Sequence, residues 1–206
     1  HIVEEGFEVD SFLGSTLVDM YIKCGSLLDA IVVFNSFLVH DVVLWTALIG
    51  GYAEKGLNIE AMNCLVRMRS EGLSPNAVTY LCCLKGFQSI ADIENAHEAH
   101  AGIVKQGFEM DVSIGNALIG MYAECGFVLR AEEIFDTMPF RNVASWIALI
   151  VGYTQNGFNQ SALESFDNMN SQGVSPTNAT FSSILKACGK RGVTCKGREI
   201  HNMIIK

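Results

Sequence analysis

The chain is 206 residues long, half of them hydrophobic and 17% charged, with 14 basic against 22 acidic side chains and a net charge of −8. That composition is ample for a buried core and excludes the disordered class, while the acidic balance opposes the basic face that a nucleic-acid binder normally presents. No run reaches the roughly 18 to 20 apolar residues of a membrane span, the nearest being VASWIALIVGY, so no membrane partner is expected.

From the amino end, residues 1–10 close with GFEVD, which recurs as GFEMD at Gly107 to Asp111. They are expected to be the tail of an earlier repeat, cut where a chain that starts at His1 begins. The stretch Val42 to Asn76 then sets the pattern for everything after it. Shifted by 101 residues, Trp45, Ala47, Leu48, Ile49, Gly51, Tyr52, Gly56, Ala61, Met68, Gly72 and Pro75 fall on Trp146, Ala148, Leu149, Ile150, Gly152, Tyr153, Gly157, Ala162, Met169, Gly173 and Pro176. Self-similarity at a fixed period decides the fold, because each unit packs only on its neighbours. The units run 11–41 (short), 42–76 (ordinary), 77–111 (long), 112–142 (short), 143–177 (ordinary) and 178–206 (an incomplete long unit).

Within each unit the apolar spacing is helical. In the second, Leu44, Leu48, Ile49 and Tyr52 share one face of a first helix, and Ala61, Leu65 and Met68 one face of a second. Gly25, Gly56, Gly126 and Gly157 stand where a left-handed residue ends a first helix, and Gly72 with Pro75 stops a second. The expectation is an all-α chain of helical hairpins, with first helices starting near Phe12, Val43, Val78, Ser113, Ala144 and Ala179. Repeats cut at the ends expose apolar faces, so self-association at high concentration is expected.

Chemistry finds little support along the chain. The seven cysteines have neither framework nor zinc spacing, and Cys24 and Cys125, at one repeat position before a capping glycine, are expected to be buried and reduced. His97 and His100 are three apart on a second helix, but His201 repeats only His100, which favours packing or surface roles over metal. Tyr21, Tyr52, Tyr122, Tyr153, Trp45 and Trp146 recur on the apolar face of first helices, where packing between helices is a stronger reading than base stacking. No nucleophile, base and orienter can be assembled, so neither catalysis nor a cofactor is expected.

GNALIGMYAECG, VASWIALIVGYTQNG, ALESFDNMNSQGVSP and the alternation of 31- and 35-residue units resemble the pentatricopeptide repeats of plant organelles, in the subclass that mixes short, ordinary and long repeats (the PLS subclass). The resemblance implies a right-handed superhelical solenoid of antiparallel helix-turn-helix repeats whose first helices line a groove for single-stranded RNA, one base per repeat. It implies a chloroplast or mitochondrial RNA-processing or editing role. The editing deaminase's H-x-E and P-C-x-x-C signature is absent from these residues.

The readout positions are the fifth and last residues of each unit: Ser15 with Asp41, Thr46 with Asn76, Leu81 with Asp111, Asn116 with Asn142, and Ile147 with Thr177. By resemblance to the family's code they favour 5′-G-A-N-C-N-3′, with U tolerated at the C position and no sharp preference where Leu81 and Ile147 stand. The family places an apolar second residue between successive bases, which Phe12, Val43 and Val78 can fill and Ser113 and Ala144 do not. It places a phosphate-binding Lys near the end of the first helix, where only Lys23 fits and Glu54 and Glu124 stand instead. The last residues would serve equally as helix N-caps, whereas small polar residues at Ser15, Thr46 and Asn116 add nothing to packing that Ala would not. Two functions stay open: an RNA-binding array, favoured by the polar fifth residues, and a protein-binding helical scaffold, favoured by the charge. Accessory editing factors would dock on the long unit 77–111.

Overall fold

In the computed structural model, residues 11–205 are described; the expected repeat tail at 1–10 lies outside them. Among the described residues there are twelve α-helices and no strand. They are α1 (Ser11–Lys23), α2 (Leu27–Ser36), α3 (Val42–Glu54), α4 (Asn58–Ser70), α5 (Ala77–Gly86), α6 (Ile93–Lys105), α7 (Val112–Glu124), α8 (Val128–Thr137), α9 (Val143–Gln155), α10 (Asn159–Ser171), α11 (Asn178–Arg191) and α12 (Thr194–Ile204). Each first helix starts one residue before its expected position. Among the described residues no helix is long and apolar enough to cross a membrane.

The turns inside the hairpins follow from one backbone device. Gly56 and Gly157 take φ of +69° and +82°, a region open to glycine at little cost. This lets Leu57 N–H reach back to the Tyr52 carbonyl at 2.9 Å and Phe158 N–H to Tyr153 at 2.8 Å, closing the helix with a Schellman turn. The accompanying apolar contact is made in the second case by the Tyr153 and Phe158 rings, 6.5 Å apart. A turn of three residues returns the chain antiparallel.

The chain forms two compact units, the described residues up to Gln88 with Asp92–Gln106, and Ser89–Ala91 with residues from Gly107 on. In the first, α1, α3 and α5 pack side by side as one layer and α2, α4 and α6 back them. In the second, α7, α9 and α11 form the layer and α8, α10 and α12 the backing. Close approach of first helices depends on Gly51, where a Cβ would stand 2.2 Å from Ile22, and on its repeat mate Gly152, where one would stand 2.7 Å from the Ala123 methyl.

Each unit's core is keyed by a tryptophan. Trp45 is fully buried, edge-on to Phe34 at 4.7 Å, with the His40 ring stacked on Phe34 at 4.2 Å. In the second unit Trp146 meets Phe135 at the same 4.7 Å, and the Arg141 guanidinium takes the place of the imidazole over Phe135. Tyr122 and Tyr153 are buried too, and Tyr21 and Tyr52 half-buried, so these aromatics are packing groups.

The cysteines correct one expectation. All seven are free thiols; Cys125 is buried, but Cys24 is exposed, its Sγ turned to Met20 Sδ of α1 at 3.8 Å. Burial pushes the Cys64 thiol up to about 11 and Cys83 up to about 12, which suppresses the reactive thiolate. Alkylation of the native protein at neutral pH should therefore modify Cys24 and Cys195, both exposed, well before Cys64 or Cys83. Mass mapping of the adducts checks this, and equal rates at Cys24 and Cys83 would contradict the burial pattern.

Candidate nucleic-acid interface

All five last residues cap helices. The Asp41 carboxylate accepts the Leu44 N–H at 2.9 Å, and Asp111 accepts from Ser113 and Ile114 at 2.8 and 3.0 Å. Asn76 Oδ1 accepts the Thr79 N–H at 2.9 Å, Asn142 Oδ1 the Ser145 N–H at 3.0 Å, and the Thr177 hydroxyl oxygen the Thr180 N–H at 3.5 Å. Each cap satisfies a helix-end donor that has no partner within the helix. A carboxylate or amide that caps through one atom still has a second polar atom to offer.

The polar fifth residues sit on the same side as the caps in two units. Asn116 Nδ2 donates to Asn142 Oδ1 at 3.4 Å. The Thr46 hydroxyl lies 2.7 Å from the Thr79 hydroxyl, which in turn lies 3.0 Å from Asn76 Oδ1. Ser15 is different: its hydroxyl donates to the Phe12 carbonyl at 3.0 Å and the residue is 8% exposed. Leu81 and Ile147 are half-buried and offer no polar side-chain atom. Leu81 belongs to the first unit and Asp111 to the second, while Thr177 turns its hydroxyl to Thr180 at 3.2 Å.

In the first unit these residues line one open cleft of about 440 Å³, formed by Ser15, Thr16, Asp19, Val43, Thr46, Ala47, Asn76 and Val78. The apolar second residues are strongly exposed, Phe12 at 79%, Val43 at 56% and Val78 at 57%. Two of them therefore flank a polar floor, the arrangement a planar base with a polar edge requires. Ser113 and Ala144 are exposed as well.

Lys23 is exposed and ion-paired with Asp19 one turn back, and the hydrogen bond it donates to that carboxylate raises its pKa. An incoming phosphate has to compete with Asp19 for it. Burial raises the pKa of Glu124 at the equivalent place in the second unit. Two residues of the cleft region were not flagged by sequence reasoning. Asp19 was legible from its spacing of four from both Ser15 and Lys23. Thr79 was legible as the N3 partner of an N-cap Asn. On α6, His97 is exposed and His100 half-buried, and among the described residues no group of three or more His, Cys, Asp or Glu is placed to hold a metal.

The profile described as PPR repeat family matches residues 40–89 and 141–190, and that described as PPR repeat matches 116–143, together more than half of the chain. An Arabidopsis thaliana pentatricopeptide repeat-containing protein is 38% identical over 203 residues, 98% of this chain and 28% of that protein. A chloroplastic one is 39% identical over 188 residues, 91% of this chain and 30% of its own length. A mitochondrial one is 35% identical over 205 residues, 100% of this chain and 30% of that protein. The chain thus spans less than a third of each. Among solved structures, the pentatricopeptide repeat protein PPR10 from maize superposes with a TM-score of 0.84 over 99% of this chain and 30% of its own, at 21% identity. PPR10 in complex with an 18-nt psaJ RNA element superposes with a TM-score of 0.80 over 94% of this chain and 29% of that one, also at 21% identity.

Proposed function

The chain belongs to the pentatricopeptide repeat family, and we propose that it binds single-stranded RNA, one base per repeat, through the fifth and last residues of each unit. The observation that carries this reading is the first-unit cleft, where Thr46 and Asn76 meet between the exposed Val43 and Val78. Exposed valines flanking a polar amide and hydroxyl suit a planar base with a polar edge. That PPR10 is held in a complex with RNA supports the same reading.

The finer assignment is to the subclass of mixed short, ordinary and long repeats, as the targeting segment of an RNA editing or processing factor of a chloroplast or mitochondrion. Relatives carry both organelle designations. The fold assigns no chemistry by itself, and binding is the role proposed for this chain. On the part of the long unit 77–111 that belongs to the first compact unit, Val104 is 50% exposed, which supports docking of an accessory factor there as a second, protein-binding role.

Selection from a randomised RNA pool tests the reading directly. The expected result is enrichment of 5′-G-A-N-C-N-3′ with U tolerated at the C position. With a net charge of −8 and Lys23 committed to Asp19, few counterions are displaced, so affinity should depend only weakly on salt. A pool that emerges without any enriched short motif sinks the proposal.

A further inference from the structure

Resting on that RNA-binding reading, we propose that the third residue of the following unit, Thr79 behind Asn76 and Ser145 behind Asn142, is a positioning residue that sets which hydrogen-bonding atoms the readout pair shows to a base. Thr79 is fully buried, and no base can touch it. Its hydroxyl has one proton and two lone pairs, and three groups compete for them: Asn76 Oδ1 at 3.0 Å, the Asn76 N–H at 3.3 Å and the Thr46 hydroxyl at 2.7 Å. The Asn76 N–H can only donate. Asn76 Oδ1, which already accepts the Thr79 N–H, can only accept. In the proposed arrangement Thr79 gives its proton to Asn76 Oδ1, accepts from the Asn76 N–H, and accepts the proton of Thr46.

The consequence reaches the cleft. With its proton committed to Thr79, Thr46 shows only lone pairs. With Oδ1 held at the helix end by two donors, Asn76 shows only the two N–H groups of Nδ2. An acceptor beside a donor complements an edge that has a donor beside an acceptor, which adenine has in N6–H and N1 and guanine has in the opposite sense in O6 and N1–H.

The part of the arrangement that holds the last residue recurs in the other unit. The Ser145 hydroxyl is 3.2 Å from Asn142 Oδ1 and accepts the Asn142 N–H at 3.1 Å. Where the last residue is an Asp, the third is aliphatic: Leu44 follows Asp41 and Ile114 follows Asp111. The third-position hydroxyl thus accompanies the amide caps Asn76 and Asn142, and also Thr177, which Thr180 follows, whereas the carboxylates cap without one.

The test compares two oligoribonucleotides, one carrying 5′-GAUCU-3′ and the other 5′-GGUCU-3′, against the whole chain and its variants. Thr79→Val keeps the shape and removes the hydroxyl, so preference for the first RNA should fall by about fivefold or more, the worth of one hydrogen bond. Thr79→Ser restores the hydroxyl and should restore the preference. At the second site Ser145→Ala, which leaves a good helix former, should weaken discrimination of C from G, read with a third oligoribonucleotide, 5′-GAUGU-3′, against 5′-GAUCU-3′; it serves if Thr79→Val does not fold by circular dichroism. Undiminished preference in folded Thr79→Val, or in Ser145→Ala, overturns the positioning role and leaves base readout standing. A wild-type chain that binds the two RNAs equally overturns the readout itself, and the positioning role with it.

Discussion

Trp45→Ala is expected to destabilise the first unit by about 3–5 kcal/mol, the range for truncating a buried aromatic side chain to alanine. The indole is inaccessible to solvent and ties α3 to two other helices: Phe34 on α2 lies against it, the Arg67 guanidinium of α4 stands 5.2 Å from its ring, and its Nε1–H donates to Glu71, the residue that ends α4, at 3.2 Å. Collapse around the void is limited, because the stacked Phe34 and His40 rings are fixed by a bond of 3.0 Å between His40 Nε2 and the Phe34 carbonyl. Urea unfolding followed by circular dichroism reads the loss, and a cost under about 1 kcal/mol would contradict a keystone role.

The two tryptophans are not equivalent, and a milder substitution separates them. Trp146 Nε1–H is buried with no hydrogen-bond partner, since Gln172 stands where Glu71 stands in the first unit and makes no bond to it. A buried donor left unpaired costs free energy that Phe would not incur. The repeat conserves the shape of the core pair, then, but not every polar contact around it.

What could be read from the sequence divides along the range of the interactions. Hairpin turns were legible because a residue at φ near +70 to +87° must almost always be glycine, as at Gly56 and Gly126. First-helix starts were legible to within one residue because Asp, Asn and Thr cap them locally. The length of α5 was not. It stops at Gly86, because Asn58, 28 positions earlier, donates to the Gly86 carbonyl at 2.9 Å and also to Asp92 at 2.7 Å, and no local pattern encodes that capture. The short 3-10 turn at Ile90–Asp92 follows from the same break. At the candidate site, positions on the repeat register identified Thr46, Asn76, Val43 and Val78, which the fold brings to one cleft. The register could not tell that Ser15 would spend its hydroxyl on its own helix or that Lys23 would be held by Asp19. Both depend on rotamer choices between near neighbours.

Asn76→Asp is expected to change the base preferred by the Thr46 unit from adenine to guanine, by about 1–3 kcal/mol, roughly five- to 150-fold, by analogy with bidentate base readout. The substitution keeps one oxygen where Asn76 Oδ1 now accepts from the Thr79 N–H and hydroxyl. It replaces Nδ2, a donor, by a second oxygen that can only accept. Adenine N1 then faces an acceptor and loses its partner, whereas guanine N1–H and N2–H gain one. Stability should hardly move, since Asp and Asn are comparable N-caps and Asn76 is exposed. Competition binding with the GAUCU and GGUCU oligoribonucleotides measures the switch, and thermal unfolding of the variant confirms that the cap is intact. If folded Asn76→Asp binds the two RNAs in the same ratio as the unsubstituted chain, Asn76 is a helix cap and nothing more, and one-base-per-repeat readout fails for this unit.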